Sequence, residues 1–144
     1  MTDTFQLSRF VEAQEPVFAE VLAELRAGRK ASHWMWFVFP QIEGLGHSST
    51  AQYFAIRSLD EARAYLAHPV LGLRLRECTA LVNAVRSRTA TEIFGYPDDL
   101  KFRSSMTLFA HATPENQEFL NALWRYYGGE FDSRTLELCG LSRK

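Results

Sequence analysis

The chain has 144 residues, 47% of them apolar and 23% charged, which fits one globular domain with a full core and excludes a disordered chain. Its formal net charge is −1, and no Lys/Arg run exceeds two residues, so no global field draws it to a nucleic-acid duplex. The longest apolar run, residues 34–40, falls far below the eighteen or so residues of a membrane span.

The first residues, MTDTFQLSRF, lack a basic region followed by an apolar core, so no secretory signal is expected and a cytoplasmic location is. Cys78 and Cys139 stand far apart with no metal or redox spacing, as two reduced thiols would.

In chain order, Pro16 opens a first helix with Phe18, Leu22 and Leu25 on one stripe, closed by Gly28. The stretch WMWFVF, residues 34–39, reads as a buried helix because no strand partner is in sight. Ser58 and Glu61 form a capping-box pattern ahead of Leu59, Ala62 and Leu66, with Pro69 as the stop. Residues 70–86 carry Leu71, Leu75, Cys78, Val82 and Val85 at steps of four and three, the clearest amphipathic helix in the chain. Thr89 and Glu92 make a second capping box before a short helix ended by Gly95. Asp98 or Asp99 then caps a helix with Phe102, Met106 and Phe109. Thr113, Pro114 and Glu115 start another, carrying Phe119, Leu120, Leu123, Trp124 and Tyr127. Residues 133–139 complete the series. The expectation is an all-α chain, one domain over residues 1–144, with seven or eight helices.

Two segments carry chemistry. Residues 33–54 hold Trp34, Trp36, Phe37, Phe39, Tyr53 and Phe54, six of the nineteen aromatics. They are either the core of a small helical protein or the wall of a pocket. The pocket reading gives a role to the polar loop that follows. Gln41, Gly44, Gly46, Ser48 and Ser49 would meet an anion through backbone and hydroxyl groups at the start of the next helix. Trp34, Trp36 and Phe39 would stack, and Glu43 and His47 are the acid–base candidates for a hydrolytic step. In the second segment, YPDDLKFRSSM, Lys101 and Arg103 come early in a helix where cations are mildly unfavourable. They pair with the aspartates or serve an anionic partner. His33, His68 and His111 show no metal-ligand spacing, so no metal site is expected, and no cofactor.

The segments H-W-M-W-F-V-F-P-Q-I-x-G-L-G-x-S, A-x-Y-F-A-I, Y-L-x-H-P-V-L-G-x-R-L and F-G-x-P-D-x-L-K-F-x-S-S-M-T-L-F resemble the bacterial "domain of unknown function 1810" family over nearly the whole chain. That resemblance implies an all-helical fold and no established activity. Some family members bear the label calpastatin, a disordered inhibitor that this chain does not resemble. More distantly, residues 48–77 and 101–123 are similar to the NADAR family, which implies a nucleotide or ADP-ribose/NAD-derived ligand and N-glycosidase-like hydrolysis. On that alignment Arg57 falls at the family's lysine, whereas Thr50 stands where the family has an acidic residue. An oxocarbenium-like transition state loses a counter-charge without that carboxylate. The resulting expectation is a small anionic ligand, charge supplied by Arg57 and Lys101, and a monomer or homodimer. The competing expectation is a non-enzymatic protein-interaction module acting through its surface.

Overall fold

A computed structural model describes residues 3–141. The helices in chain order are α1 (Ser8–Gln14), α2 (Phe18–Ala27), α3 (Met35–Val38), α4 (Ser49–Tyr53), α5 (Leu59–Ala67), α6 (Leu71–Ala84), α7 (Ala90–Phe94), α8 (Asp98–Ala110), α9 (Gln117–Tyr127) and α10 (Ser133–Leu138). The fold is all-α. Among the described residues the one β feature is a parallel bridge between Ile42 and Ile56. There the Ile56 N–H donates to the Gln41 carbonyl and the Glu43 N–H to the Ile56 carbonyl, both at 2.8 Å.

The ten helices of the described residues exceed the seven or eight expected. The aromatic stretch forms only a four-residue turn, α3, because Trp34 caps it in a non-helical conformation and Pro40 follows at once. Helix α1 has no apolar periodicity to announce it, since two of its inward positions are polar, Arg9 and Gln14. The Arg9 guanidinium pairs with Glu61 at 2.8 Å, and both side chains are almost fully buried. The same guanidinium donates to the carbonyls of Tyr53 and Ala55 at the end of α4, which ties that short helix to α1.

Helix α8 is the centre of the molecule. Phe102, Ser105, Met106, Leu108 and Phe109 are wholly buried, and α8 packs against α5, α7, α9 and α10. Its start differs from expectation. Pro97 occupies the cap position with no side-chain cap bond, and Asp98 and Asp99 lie inside the first turn, where carboxylates favour the helix dipole. Asp99 turns inward to accept from the Thr91 hydroxyl at 2.6 Å. Helix α9 also begins later than read, after Asn116. The Thr113 hydroxyl accepts from the Glu115 N–H in a local turn before it.

The capping boxes divide. Thr89 and Glu92 exchange both reciprocal bonds. Ser58 caps α5 through the Glu61 N–H, but the Glu61 carboxylate accepts from Arg57 N–H and Arg9 instead. Between α5 and α6 the chain turns so tightly that a Cβ on Gly72 would lie 2.0 Å from the Leu66 carbonyl oxygen. His68 Nδ1 accepts from the N–H groups of Val70 and Leu71, satisfying donors at the head of α6. No helix among the described residues is long and apolar enough to cross a membrane.

Candidate functional site

Three short pieces of chain meet in front of α8. The stretch through α3 sends Trp34 and Phe39 into the core and leaves Trp36 and Phe37 partly exposed. Trp34 is buried, its indole N–H donating to Glu24 Oε1 at 2.8 Å. Burial pushes the Glu24 carboxyl up, but bonds from the Ser32 hydroxyl, the Ala31 and Ser32 N–H groups and Trp34 outweigh it and hold the group at about 2. Phe39 is also wholly buried, edge-on to Phe102 with ring centroids 4.9 Å apart. Trp36, two residues from Trp34, faces outward and is half-buried.

After Pro40 the chain is pinned by the Ile42–Ile56 bridge, and the loop that follows ends at α4. Ser48 caps α4, its hydroxyl oxygen accepting from the Ala51 N–H at 3.0 Å, and Gln52 Nε2 holds the His47 carbonyl at 2.9 Å. Gly46 is required here. A Cβ at that position would lie 2.6 Å from the Ala51 Cβ. The loop therefore lies flat against α4.

Opposite this loop, Pro97, Leu100, Lys101 and Ser104 occur at spacings of three, four and seven, a single stripe along the first two turns of α8. Loop and stripe border an open cleft of about 480 Å3, lined by Trp36, Gln41, Leu45, Gly46, His47, Ser48, Ala51 and the four residues of the stripe. Ligand sites are commonly of this volume, with mostly apolar walls and a few polar groups. At its inner end the cleft narrows into a recess of about 10 Å3 beside Met35, Ile42 and Phe54, room for about one water molecule.

The charge in the cleft comes from Lys101. Its ammonium lies 5.2 Å from the Trp36 ring centroid and 3.4 Å from Asp98 Oδ1. Asp98 is shared, because Lys30 approaches its other oxygen at 2.8 Å and sits 5.2 Å from the Trp34 ring centroid. Two lysines on two tryptophans thus divide one carboxylate, and Lys101 has the longer contact. On the same wall the Ser104 hydroxyl is within reach of the Leu100 carbonyl at 3.2 Å and of Asp132 Oδ2 at 3.0 Å, and Asp132 also caps α10. Arg103, by contrast, points away to the carbonyls of Glu130 and Phe131.

Of the residues singled out from sequence, Trp36, Gln41, Gly46, His47, Ser48 and Lys101 line this cleft. Trp34 belongs to the core behind it, and Phe39, wholly buried, borders only the water-sized recess at its inner end. Glu43 and Arg57 pair with each other at 3.7 Å, both more than half exposed and outside the lining, and Ser49 is exposed in the first turn of α4. Gly44 packs against Leu138, where an added Cβ would come within 3.1 Å. At five residues, α4 is too short to act as an anion-binding dipole. Leu45, Ala51, Pro97, Leu100 and Ser104 escaped sequence reading. The last three share a stripe with Lys101 at positions 97, 100, 101 and 104, which the charges of that segment mask. Among the described residues no three His, Cys, Asp or Glu side chains gather as a metal site would require.

The crystal structure of the conserved hypothetical protein Rv1873 from Mycobacterium tuberculosis is similar to this chain at 59% identity, with a TM-score of 0.95 over 97% of this chain and 100% of that one. No curated protein matches the chain. A family model described as "Protein of unknown function (DUF1810)" matches residues 4–139, and the chain belongs to that family.

Proposed function

We propose that the protein binds a small organic anion in the cleft between the 45–48 loop and α8. The observation that carries this reading is Lys101, a partly exposed ammonium set on the Trp36 ring in a mostly apolar cleft, whose aspartate partner is held more closely by Lys30. An ammonium with an incomplete partner in such surroundings favours a ligand that brings its own negative charge. The NADAR resemblance makes a nucleotide or ADP-ribose/NAD-derived compound the first class to test. If the ligand is also hydrolysed, His47 is the side chain on the cleft wall suited to carry a proton, with Glu43 turned toward Arg57. A cytoplasmic monomer or homodimer acting on a soluble metabolite fits this reading, and so do two free thiols.

The test is a thermal-shift screen against NAD, ADP-ribose, nucleotides and simple organic acids, followed by calorimetry on the hits. A ligand at a hundred times its dissociation constant adds about 2.7 kcal/mol of stability, several degrees for a domain of this size. Lys101→Gln should weaken a hit about tenfold or more, about 1.4 kcal/mol, while Arg57→Gln, outside the cleft, should leave it unchanged. Equal affinity in wild type and Lys101→Gln would overturn the proposal.

A further inference from the structure

The charges around the cleft limit the kind of anion it can hold. Among the described residues Lys101 is the one lysine or arginine in its lining. Behind it stands Asp98, 3.4 Å from the Lys101 ammonium and 2.8 Å from that of Lys30. Lys30 is buried, with its side chain 8% exposed, so the three groups form a fixed cluster with a net charge of +1. Arg57, the other cation expected from sequence, is 59% exposed and occupied by Glu43. Leu45, Ala51, Pro97 and Leu100 supply apolar walls without counter-charge, and Gln41, His47, Ser48 and Ser104 add hydrogen-bonding groups but no second lysine or arginine.

From this inventory we propose that the cleft is selective for a single negative charge on an apolar body, as in an aryl or alkyl carboxylate, and that Asp98 sets this limit. One carboxylate at Lys101 brings the cluster to neutrality. A second negative charge would sit close to Asp98 with no second lysine or arginine of the described lining to meet it, in a mostly apolar place where an unpaired charge is expensive. The inference rests on the anion site proposed above and narrows it away from diphosphates such as ADP-ribose. Asp98 also competes with the ligand for Lys101, so it lowers affinity for every anion while excluding the doubly charged ones.

The experiment compares three ligands of one shape by nuclear magnetic resonance titration: a naphthoate, the matching naphthamide and the matching naphthyl phosphate, at about pH 8, where the phosphate carries close to two charges. The carboxylate should bind with shifts confined to the cleft, and the neutral amide and the phosphate should each bind about tenfold more weakly or worse. Asp98→Asn should tighten the carboxylate several-fold and reduce the gap between carboxylate and phosphate. If that variant does not fold, the three-ligand comparison on the wild type still decides. A phosphate or ADP-ribose that binds as tightly as the carboxylate, with dependence on Lys101, would overturn the single-charge limit and leave the anion site standing. Equal binding of amide and carboxylate, or no binding of any of the three, would overturn both.

Discussion

Replacing Arg9 by Met tests how the helix that sequence patterning missed is held. The Arg9 side chain is 5% exposed and makes five bonds: to the carbonyls of Phe5, Gln6, Tyr53 and Ala55, and to the Glu61 carboxylate. Methionine keeps most of the apolar stem, but it removes every donor and the guanidinium carbon 4.3 Å from the Phe10 ring centroid. Glu61, 1% exposed, would keep only its bond from the Arg57 N–H. Breaking one side of such a buried pair costs about 3–5 kcal/mol, because the remaining charge loses both its partner and water. Against a total stability of about 5–15 kcal/mol, that is about a fifth or more of the margin in a typical domain. In urea, with a slope of about 2 kcal/mol per molar, the midpoint should fall by about 1.5–2.5 M. Arg9→Met combined with Glu61→Gln should recover part of the loss, since no ion is then left uncompensated. Arg9→Lys should fall between, keeping the charge but not the fork. A loss below about 1 kcal/mol in Arg9→Met would refute the reasoning, because it would mean that solvent reaches Glu61.

Two further outcomes follow from local geometry. The Glu24 carboxyl is held at about 2 in the folded chain against an ordinary value of 4.5, so its contribution is fully present above about pH 4.5 and is lost as pH falls toward 2. Glu24→Gln should therefore cost about 1–2 kcal/mol at neutral pH, discounting for its partial exposure, and flatten the fall in stability across that window in acid titrations of unfolding. Gly72→Ala would place a Cβ against the Leu66 carbonyl, a backbone atom that cannot swing aside, and should cost about 3 kcal/mol, read as a drop of several degrees in Tm.

Sequence reading succeeded where one residue type does one job. The apolar ladder of α6, the Thr89–Glu92 box, and the glycines closing α2 and α9 each announce themselves locally. It failed where the same residue type does two jobs. Trp34 and Trp36 are equivalent in the sequence, yet the carboxylate of Glu24, ten residues earlier, draws one into the core and leaves the other at the cleft. Arg9 reads as a solvated charge because Glu61, its partner, lies 52 positions away. Likewise the cleft's two walls are some fifty residues apart. Each carries its own chemistry, but only the packing of α8 beside the loop assigns Lys101 to the cleft and Arg57 to its outside.

The contrast between Trp34 and Trp36 extends to the third tryptophan, Trp124, which is 71% exposed on α9, whereas Trp34 is 1% exposed. The three indoles therefore occupy a dry core, a half-open cleft beside an ammonium, and open solvent. Their emission will span the range from blue to red, and a water-soluble quencher will reach them in the order Trp124, Trp36, Trp34. The molecule thus carries its own optical gauge. With Trp124 replaced by Phe, changes at intermediate wavelengths belong to Trp36 alone, and occupancy of the cleft becomes visible without any attached dye.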